Sequence, residues 1–531
     1  MTASGAVAAT AAGAPSRLRA GLRPSAVTAV IITATLIAVA LRIYDVTRPG
    51  YLFGISEYDD GTDFGSAIRL LHGAVPYRDF IMVQPPGITL IMFPVALITK
   101  GMGTITGMAV ARVVTALASA AAVPVAGLLT RHRGFAAVLV SCGVLAIYPD
   151  SIMAARTVLL EPWLVLFCLL GALAVFDGDR VTTGRRLLLG GAAFGFAGAV
   201  KVWAILPVAV ILVLTARRPR QAAVYAGGVA LGFCAAVLPF ALTAPSTFYR
   251  SVVIAQLVRD DLVRIPQGYR LQQMLGLAHL SQLPTPALVI IGIMVVAVIA
   301  AISVLGSRLA HSAPPALDWF ATGTCALVVA AFLWPADFYY HYAGFLAPFL
   351  ALALALPLSR LLAALPAGGT RRWPALVRRW GTVTAGVALV ALTVFQVIAE
   401  NHEAAGVPAS EIAAVQRLVP PGACVATDQA SYTIAIDRFV SPVPGCSLMI
   451  DGVGTDYALS NGRNGQTGAG GTPAVAAAWL AEFRAAKYAW LTSDQSRRIP
   501  WTPALVAYFH RNFVPLPGGP DGLYIRSPRA G

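Results

Sequence analysis

Four carboxylates stand within seven residues in the stretch Glu57-Tyr58-Asp59-Asp60-Gly61-Thr62-Asp63. Crowded carboxylates repel one another, and beside a bilayer they also lose hydration. Both effects raise a carboxyl pKa and suit the group to take a proton at neutral pH. The run reads either as a solvated acidic turn or as the seat of a general base. In the second case Glu57, Asp59, Asp60 and Asp63 are the candidates for the base and for substrate contacts. Two further motifs follow, Gly73-Ala74-Val75-Pro76-Tyr77-Arg78-Asp79-Phe80 and Gln84-Pro85-Pro86-Gly87, which add Tyr77 and Arg78 to the binding candidates.

The cations that could answer these acids are scattered. Lys201, in Gly198-Ala199-Val200-Lys201-Val202-Trp203, lies mid-way along an apolar stretch, where an unpaired ammonium costs about 3 kcal/mol or more. It requires an anion, either a protein carboxylate or a lipid phosphate gripped as by a point charge. Arg156 and Glu161 flank the start of another apolar stretch and read as a structural ion pair or as site residues. Arg112 either binds substrate or snorkels to headgroups. Between Phe248 and Arg270, basic and aromatic residues alternate with Val252, Val253, Ile254 and Leu257 at near-helical spacing. That pattern fits an interfacial amphipathic helix, or a groove whose Arg259 and Arg264 hold a phosphate. His341, in Asp337-Phe338-Tyr339-Tyr340-His341-Tyr342, sits in an aromatic belt and is the weakest binding candidate.

The elements that must position these residues are membrane helices. The chain is 57% hydrophobic and only 12% charged over 531 residues, with a mean hydropathy of +0.72. Such a composition excludes a water-soluble multidomain enzyme, a disordered chain and a disulfide scaffold. The fold class expected is mainly α, a polytopic bundle of about eleven spans with a small C-terminal α/β domain. The spans are Ser25–Ile43, Met108–Leu129, Phe135–Tyr148, Val158–Phe176, two short helices within Leu187–Thr215, Ala222–Thr243, Ala287–Val304, Trp319–Trp334, Ala343–Leu361 and Gly381–Ile398. Lys201 falls near the tip of the short pair. Pro86–Ile98 is too short to span and reads as a surface helix, as does Asp63–Leu71, with Phe64, Ile68 and Leu71 at helical spacing.

An excess of 39 Lys+Arg over 24 Asp+Glu gives a net charge of +15. Its clusters (Arg131, His132, Arg133; Arg180, Arg185, Arg186; Arg217, Arg218, Arg220; Arg371, Arg372, Arg378, Arg379) mark cytoplasmic turns under the positive-inside rule. This places residues 1–24 inside as a tail, 25–399 in the membrane, and the loops 47–107 and 244–286 outside. Residues 400–531 follow as an extracytoplasmic domain. There Ala423–Thr427, Tyr488–Thr492 and Leu523–Ile525 read as strands, Ala474–Ala486 as an amphipathic helix and Asn461–Gly471 as a surface loop. Cys424 and Cys446 can pair in that oxidising compartment, whereas Cys142, Cys168, Cys234 and Cys325 lie in spans as packing residues.

An acidic pair soon after the first span, a small-residue helix, "G-x-x-P-Y-R-D-F" and "Q-P-P-G" together resemble the GT-C superfamily of integral-membrane glycosyltransferases. The protein O-mannosyltransferase and aminoarabinose-transferase branches are the most similar. The likeness covers roughly residues 25–400 in layout and is motif-specific in the first loop. It implies inverting transfer of a sugar, mannose or arabinose first among them, from a polyprenyl-phosphate carrier to a cell-envelope glycan, glycolipid or protein. The family's acidic pair maps onto Asp59 and Asp60, one of them the base. Relatives often place an aromatic residue where this chain has Asp63, which leaves open which acid is catalytic. The family also commonly has an Arg and an acid where Arg156 and Glu161 stand, and a Gly-small-x-Lys hairpin like that of Lys201. The resemblance implies no required cofactor and does not favour a divalent metal.

The sequence has no phosphate-binding Walker loop, dinucleotide fingerprint, His-x-x-x-His pair or Cys-x-x-Cys motif. Its basic residues are spread over turns, so the expected partners are the bilayer, the lipid-linked donor and the acceptor, without nucleic acid. The rival class is a lipid-carrier flippase or permease. A transporter would place its acids near the bilayer midplane and build its helices in paired halves, neither of which the sequence displays.

Overall fold

In hydrocarbon a chain must bond its own N–H and C=O groups, so the apolar stretches fold as helices. The computed structural model describes residues 24–257, 264–365, 373–401, 406–460 and 472–527. Helix α1 (Pro24–Thr47) is followed by α2 (Tyr58–Leu71), α3 (Gly87–Ala96) and α4 (Thr99–Met102). Then come α5 (Thr104–Thr130), α6 (Phe135–Ile147), α7 (Pro149–Met153) and α8 (Leu160–Val175), with a tight ribbon of β1 (Phe176–Asp177) and β2 (Arg180–Val181). Helices α9 (Gly184–Val200) and α10 (Ile205–Thr215) flank Lys201, and α11 (Pro219–Ala241) follows. The segment after it holds α12 (Pro245–Phe248), a π-helical stretch Tyr249–Ile254, α13 (Ala255–Leu257) and α14 (Gln267–Met274). Four long helices complete the bundle: α15 (Thr285–Leu309), α16 (Ala316–Leu333), α17 (Tyr340–Ala364) and α18 (Trp373–Glu400).

Among the described residues six helices are long and apolar enough to cross a membrane, namely α1, α5, α11, α15, α16 and α17, and five shorter apolar helices accompany them. Ile290, Ile293, Met294 and Val296 of α15 are all more than half exposed, as side chains solvated by lipid would be. The protein is a multi-pass membrane protein. Helix α9 lies against α11 at backbone distance: a Cβ on Gly195 would stand 2.1 Å from the Val229 carbonyl oxygen. Small residues permit such contact, and van der Waals packing then replaces the hydrophobic drive that lipid does not supply.

Beyond α18, short helices alternate with strands. They are α19 (Ala409–Leu418), β3 (Val425–Ala426), α20 (Ala430–Ala435), α21 (Gly452–Leu459), α22 (Pro473–Ala485), β4 (Tyr488–Trp490), α23 (Pro503–Asn512), β5 (Phe513–Pro515) and β6 (Leu523–Arg526). The sheet order is β3-β4-β6-β5, with β3 and β4 parallel and the other pairs antiparallel. Trp479 and Phe483 of α22 are fully buried against it, and Cys424 is disulfide-bonded to Cys446.

One element departs from the sequence reading in a way that matters. The helix expected over Asp63–Leu71 begins five residues earlier, at Tyr58, because the Glu57 side chain accepts the Tyr58 N–H (3.0 Å) at its N-terminus. It does not lie along a surface either, since Phe64 and Ile68 are completely buried. The acidic run is the opening of a buried helix and not a loop. The tail 1–23, Asn461–Gly471, Arg371 and Arg372 lie outside the described residues.

The close packing of α9 on α11 makes Gly195 sensitive: Gly195→Val forces the helices apart and costs about 1–3 kcal/mol, read as a lowered Tm in detergent. In the C-terminal segment, burial pushes the Asp456 carboxyl up to about 8 and that of Glu482 up to about 7. The folded state holds these protons more tightly than the unfolded one, so their contribution to stability is fully present below about pH 4 and is lost as the pH rises through about 7 to 8. Asp456→Asn should shrink that loss, measured as Tm between pH 5 and pH 8.5.

Candidate active site

Successive residues of a helix point about 100° apart, so the opening of α2 presents its side chains to three different neighbours. Asp60 faces the bundle. Its Oδ2 accepts the Nε of Arg112 (2.9 Å) and also the Nη2, and its Oδ1 accepts the Val158 N–H (2.8 Å). The other terminal nitrogen of Arg112 donates to the carbonyls of Tyr51 (2.6 Å), Leu52 (2.8 Å) and Gly54 (2.9 Å). Both side chains are buried, and the pair fastens α2 to α5 and to the strap preceding it.

Asp59 and Asp63, one turn apart, share the second face. Asp59 is half-buried and has no hydrogen-bond or ion-pair partner among the described residues. Asp63 is buried, and its Oδ2 has no partner there either. Burial, then repulsion from Asp59 and Glu161, holds the Asp63 carboxyl well above the usual range, partly offset by Lys201. Glu57 is raised in the same direction by burial and by Asp59; its Oε2 accepts the Tyr340 hydroxyl (3.2 Å).

The cationic side of the site gathers from three other elements. The chain turns extended at Lys201, between α9 and α10. Its Nζ donates to Glu161 Oε1 (2.5 Å), at the start of α8, and stands 4.2 Å from the Trp203 ring and 4.6 Å from that of Tyr342. His341, in the first turn of α17, brings Nδ1 to 2.9 Å from the same Oε1. Glu161 Oε2 is buried without a partner among the described residues. Of the two anions the sequence allowed for Lys201, a protein carboxylate is the one in contact. Glu161 pairs with Lys201 and His341, while Arg156 stands 3.8 Å from Asp45 Oδ1 and 4.7 Å over the Tyr51 ring.

Other expected binding residues are engaged elsewhere. Tyr77 is buried and donates its hydroxyl to the Gln84 carbonyl (2.6 Å), shaping the loop ahead of α3. Arg78 is half-exposed and pairs with Asp79 (2.7 Å). Arg264 is exposed and donates to the Leu333 and Trp334 carbonyls at the end of α16. Arg259 lies outside the described residues. Sequence reasoning passed over Tyr58 and Asp451: Tyr58 donates its hydroxyl to Asp451 Oδ1 (2.8 Å), from the C-terminal segment. No local pattern signals a contact 393 positions apart.

The site is therefore a set of acids at the head of a buried helix, next to a lysine–glutamate–histidine cluster at one end of a membrane bundle. The architecture matches solved structures of one class. ArnT from Cupriavidus metallidurans bound to undecaprenyl phosphate aligns with a TM-score of 0.56 at 15% identity, over 83% of this chain and 88% of that one. Its apo state gives 0.54 and 16%, over 77% and 84%. The apo oligosaccharyltransferase of Archaeoglobus fulgidus gives 0.54 and 14%, over 95% and 75%. The protein has the fold of the GT-C superfamily of integral-membrane glycosyltransferases. Within it, residues 83–335 match the model of Glycosyltransferase family 87. No curated protein matches the chain in sequence.

The geometry separates the two leading acids by the property each controls. Asp60→Ala strands a buried guanidinium and costs about 3–5 kcal/mol, lowering Tm in detergent, as does Arg112→Ala. Asp59→Asn leaves Tm unchanged. Thermal unfolding of the three purified variants checks the contrast.

Proposed function

We propose that the protein transfers a sugar from a polyprenyl-phosphate carrier to a hydroxyl-bearing acceptor of the cell envelope, with Asp59 as the general base. The observation that carries this reading is the Asp59 carboxylate, without a partner among the described residues, on the face of α2 that also bears Asp63. Asp63 lies in turn within electrostatic range of Lys201. Asp60 is spent on Arg112, so Asp59 takes the base role and Asp60 positions the helix that bears it.

In the proposed reaction Asp59 removes the acceptor proton as the hydroxyl oxygen attacks the anomeric carbon, with inversion. The bond to the lipid phosphate breaks, and its electron pair stays on phosphate oxygen. A phosphate leaves as a stable anion, so cationic stabilisation replaces a general acid. Lys201 is suited to stabilise that anion. An ammonium has three donors; Glu161 takes one and steers the group, and the others remain for phosphate oxygens. His341, on the same carboxylate, adds an imidazole donor when protonated. The ArnT neighbour bound to undecaprenyl phosphate supports a carrier of this chemical type.

The reading puts the site on the outer face, with the N-terminus cytoplasmic and the C-terminal segment outside, where the Cys424–Cys446 disulfide is chemically at home. Mannose and arabinose are the sugars proposed, and a glycan, glycolipid or protein the acceptor. No metal is required, since Lys201 supplies the positive charge.

Purified full-length protein given synthetic polyprenyl-phosphate mannose or arabinose and envelope extract as acceptor should release polyprenyl phosphate. Asp59→Asn should lower kcat about 10²- to 10⁴-fold at unchanged Tm. Wild-type turnover by that variant would contradict the assignment.

A further inference from the structure

The first turn of a helix is its least constrained part, because its N–H groups have no partner within the helix. Asp59 is the second residue of α2, so the helix alone does not hold its carboxylate in one place. The C-terminal segment does. Tyr58 donates its hydroxyl to Asp451 Oδ1 (2.8 Å) and accepts the Val453 N–H (3.1 Å), while the Arg498 guanidinium lies 4.7 Å over its ring. Burial, followed by the Asp451 charge, raises the Tyr58 phenol well above its usual pKa, which keeps it a donor.

Contacts around this bond fix the same turn from several directions. Gln429 (2.8 Å) and Ser431 (3.1 Å) donate to the Glu57 carbonyl, and Thr62 donates to the Ile450 carbonyl (3.1 Å). Gly61 lies flush on Ser431, where a Cβ would come within 2.1 Å of the backbone nitrogen. Asp451 is itself fixed, its Oδ1 accepting the Gly454 N–H (2.7 Å) as the cap of α21. The Tyr58 ring therefore pins the rotation of the turn about the helix axis, and Asp59, the next residue, inherits its direction from that pin.

We infer that Asp451 is a positioning residue for Asp59, acting through the Tyr58 hydroxyl, so that the C-terminal segment is part of the active centre. The inference rests on the proposed transferase reading. Asp451 touches no reacting atom; it sets where the base points.

The test is a double-mutant cycle on the full-length protein, reading polyprenyl phosphate release from a synthetic polyprenyl-phosphate sugar, with Tm and donor KM measured alongside. Tyr58→Phe and Asp451→Ala should each lower kcat about 10- to 100-fold with donor KM unchanged. Asp451→Asn keeps an oxygen to accept both bonds and should retain most of the wild-type kcat. The double variant Tyr58→Phe/Asp451→Ala should be no slower than the slower single, because both substitutions remove one interaction. Additive losses in the double variant, or single variants that lower Tm while keeping kcat, would overturn the inference and leave the transferase reading standing. A wild-type protein that releases no polyprenyl phosphate would overturn that reading and this inference with it.

Discussion

The structure depends on one buried ion pair. Asp60 and Arg112 are both withdrawn from water, and each is compensated completely: the carboxylate by the guanidinium and the Val158 N–H, the guanidinium by that carboxylate and three carbonyls. Two buried charges gain little net stability from meeting, but losing either partner is costly. The pair therefore acts as a locator. It brings α2, the strap at residues 51–54, α5 and the approach to α8 to one point, and every other relation in the site is measured from there.

With α2 fixed on that side, helix geometry decides the rest. Asp63 looks away from Arg112, towards Glu161 at the start of α8 and Lys201 at the break between α9 and α10, with Asp59 beside it one turn earlier. The Asp63 carboxylate meets the field of Lys201, which Glu161 holds in place with His341 against the same glutamate oxygen. The third face of α2 goes to the C-terminal segment through Tyr58, Gly61 and Thr62. A short helix thus joins three bodies of chain and leaves two carboxylates, Asp59 and Asp63, without a hydrogen-bond partner among the described residues. In the proposed reaction the acid takes the acceptor proton and the Lys201 ammonium meets the leaving phosphate.

Local signals were legible in the sequence. Apolar length located the long helices, and the isolated lysine marked the place where α9 and α10 separate. Alternating runs marked β3, β4 and β6 within a residue or two. The acidic run was visible as chemistry but was read as loop, because carboxylates in series suggest solvent; a Glu57 cap and a docking partner on each face make it helix instead. Roles depended on pairings that no local pattern encodes. Asp60 with Arg112 spans 52 positions, Lys201 with Glu161 spans 40, and Tyr58 with Asp451 spans 393. Residue types could therefore be named from sequence, while the contrast between Asp59, without a partner among the described residues, and Asp60, bound to Arg112, required tertiary structure. The same holds for Arg78, a binding candidate whose partner is the neighbouring aspartate, and for Arg264, whose charge suited a phosphate but which donates to the end of α16.

One spatial claim is central, that the reacting bond lies between Asp59 and Lys201. A cryo-electron microscopy structure of the full-length protein in lipid nanodiscs, with a non-transferable polyprenyl-phosphonate sugar, tests it directly. The phosphonate should contact the Lys201 ammonium and the anomeric carbon should face Asp59, with space between them for an acceptor hydroxyl. A phosphonate bound away from Lys201, or a sugar whose anomeric carbon is turned from α2, would contradict the claim.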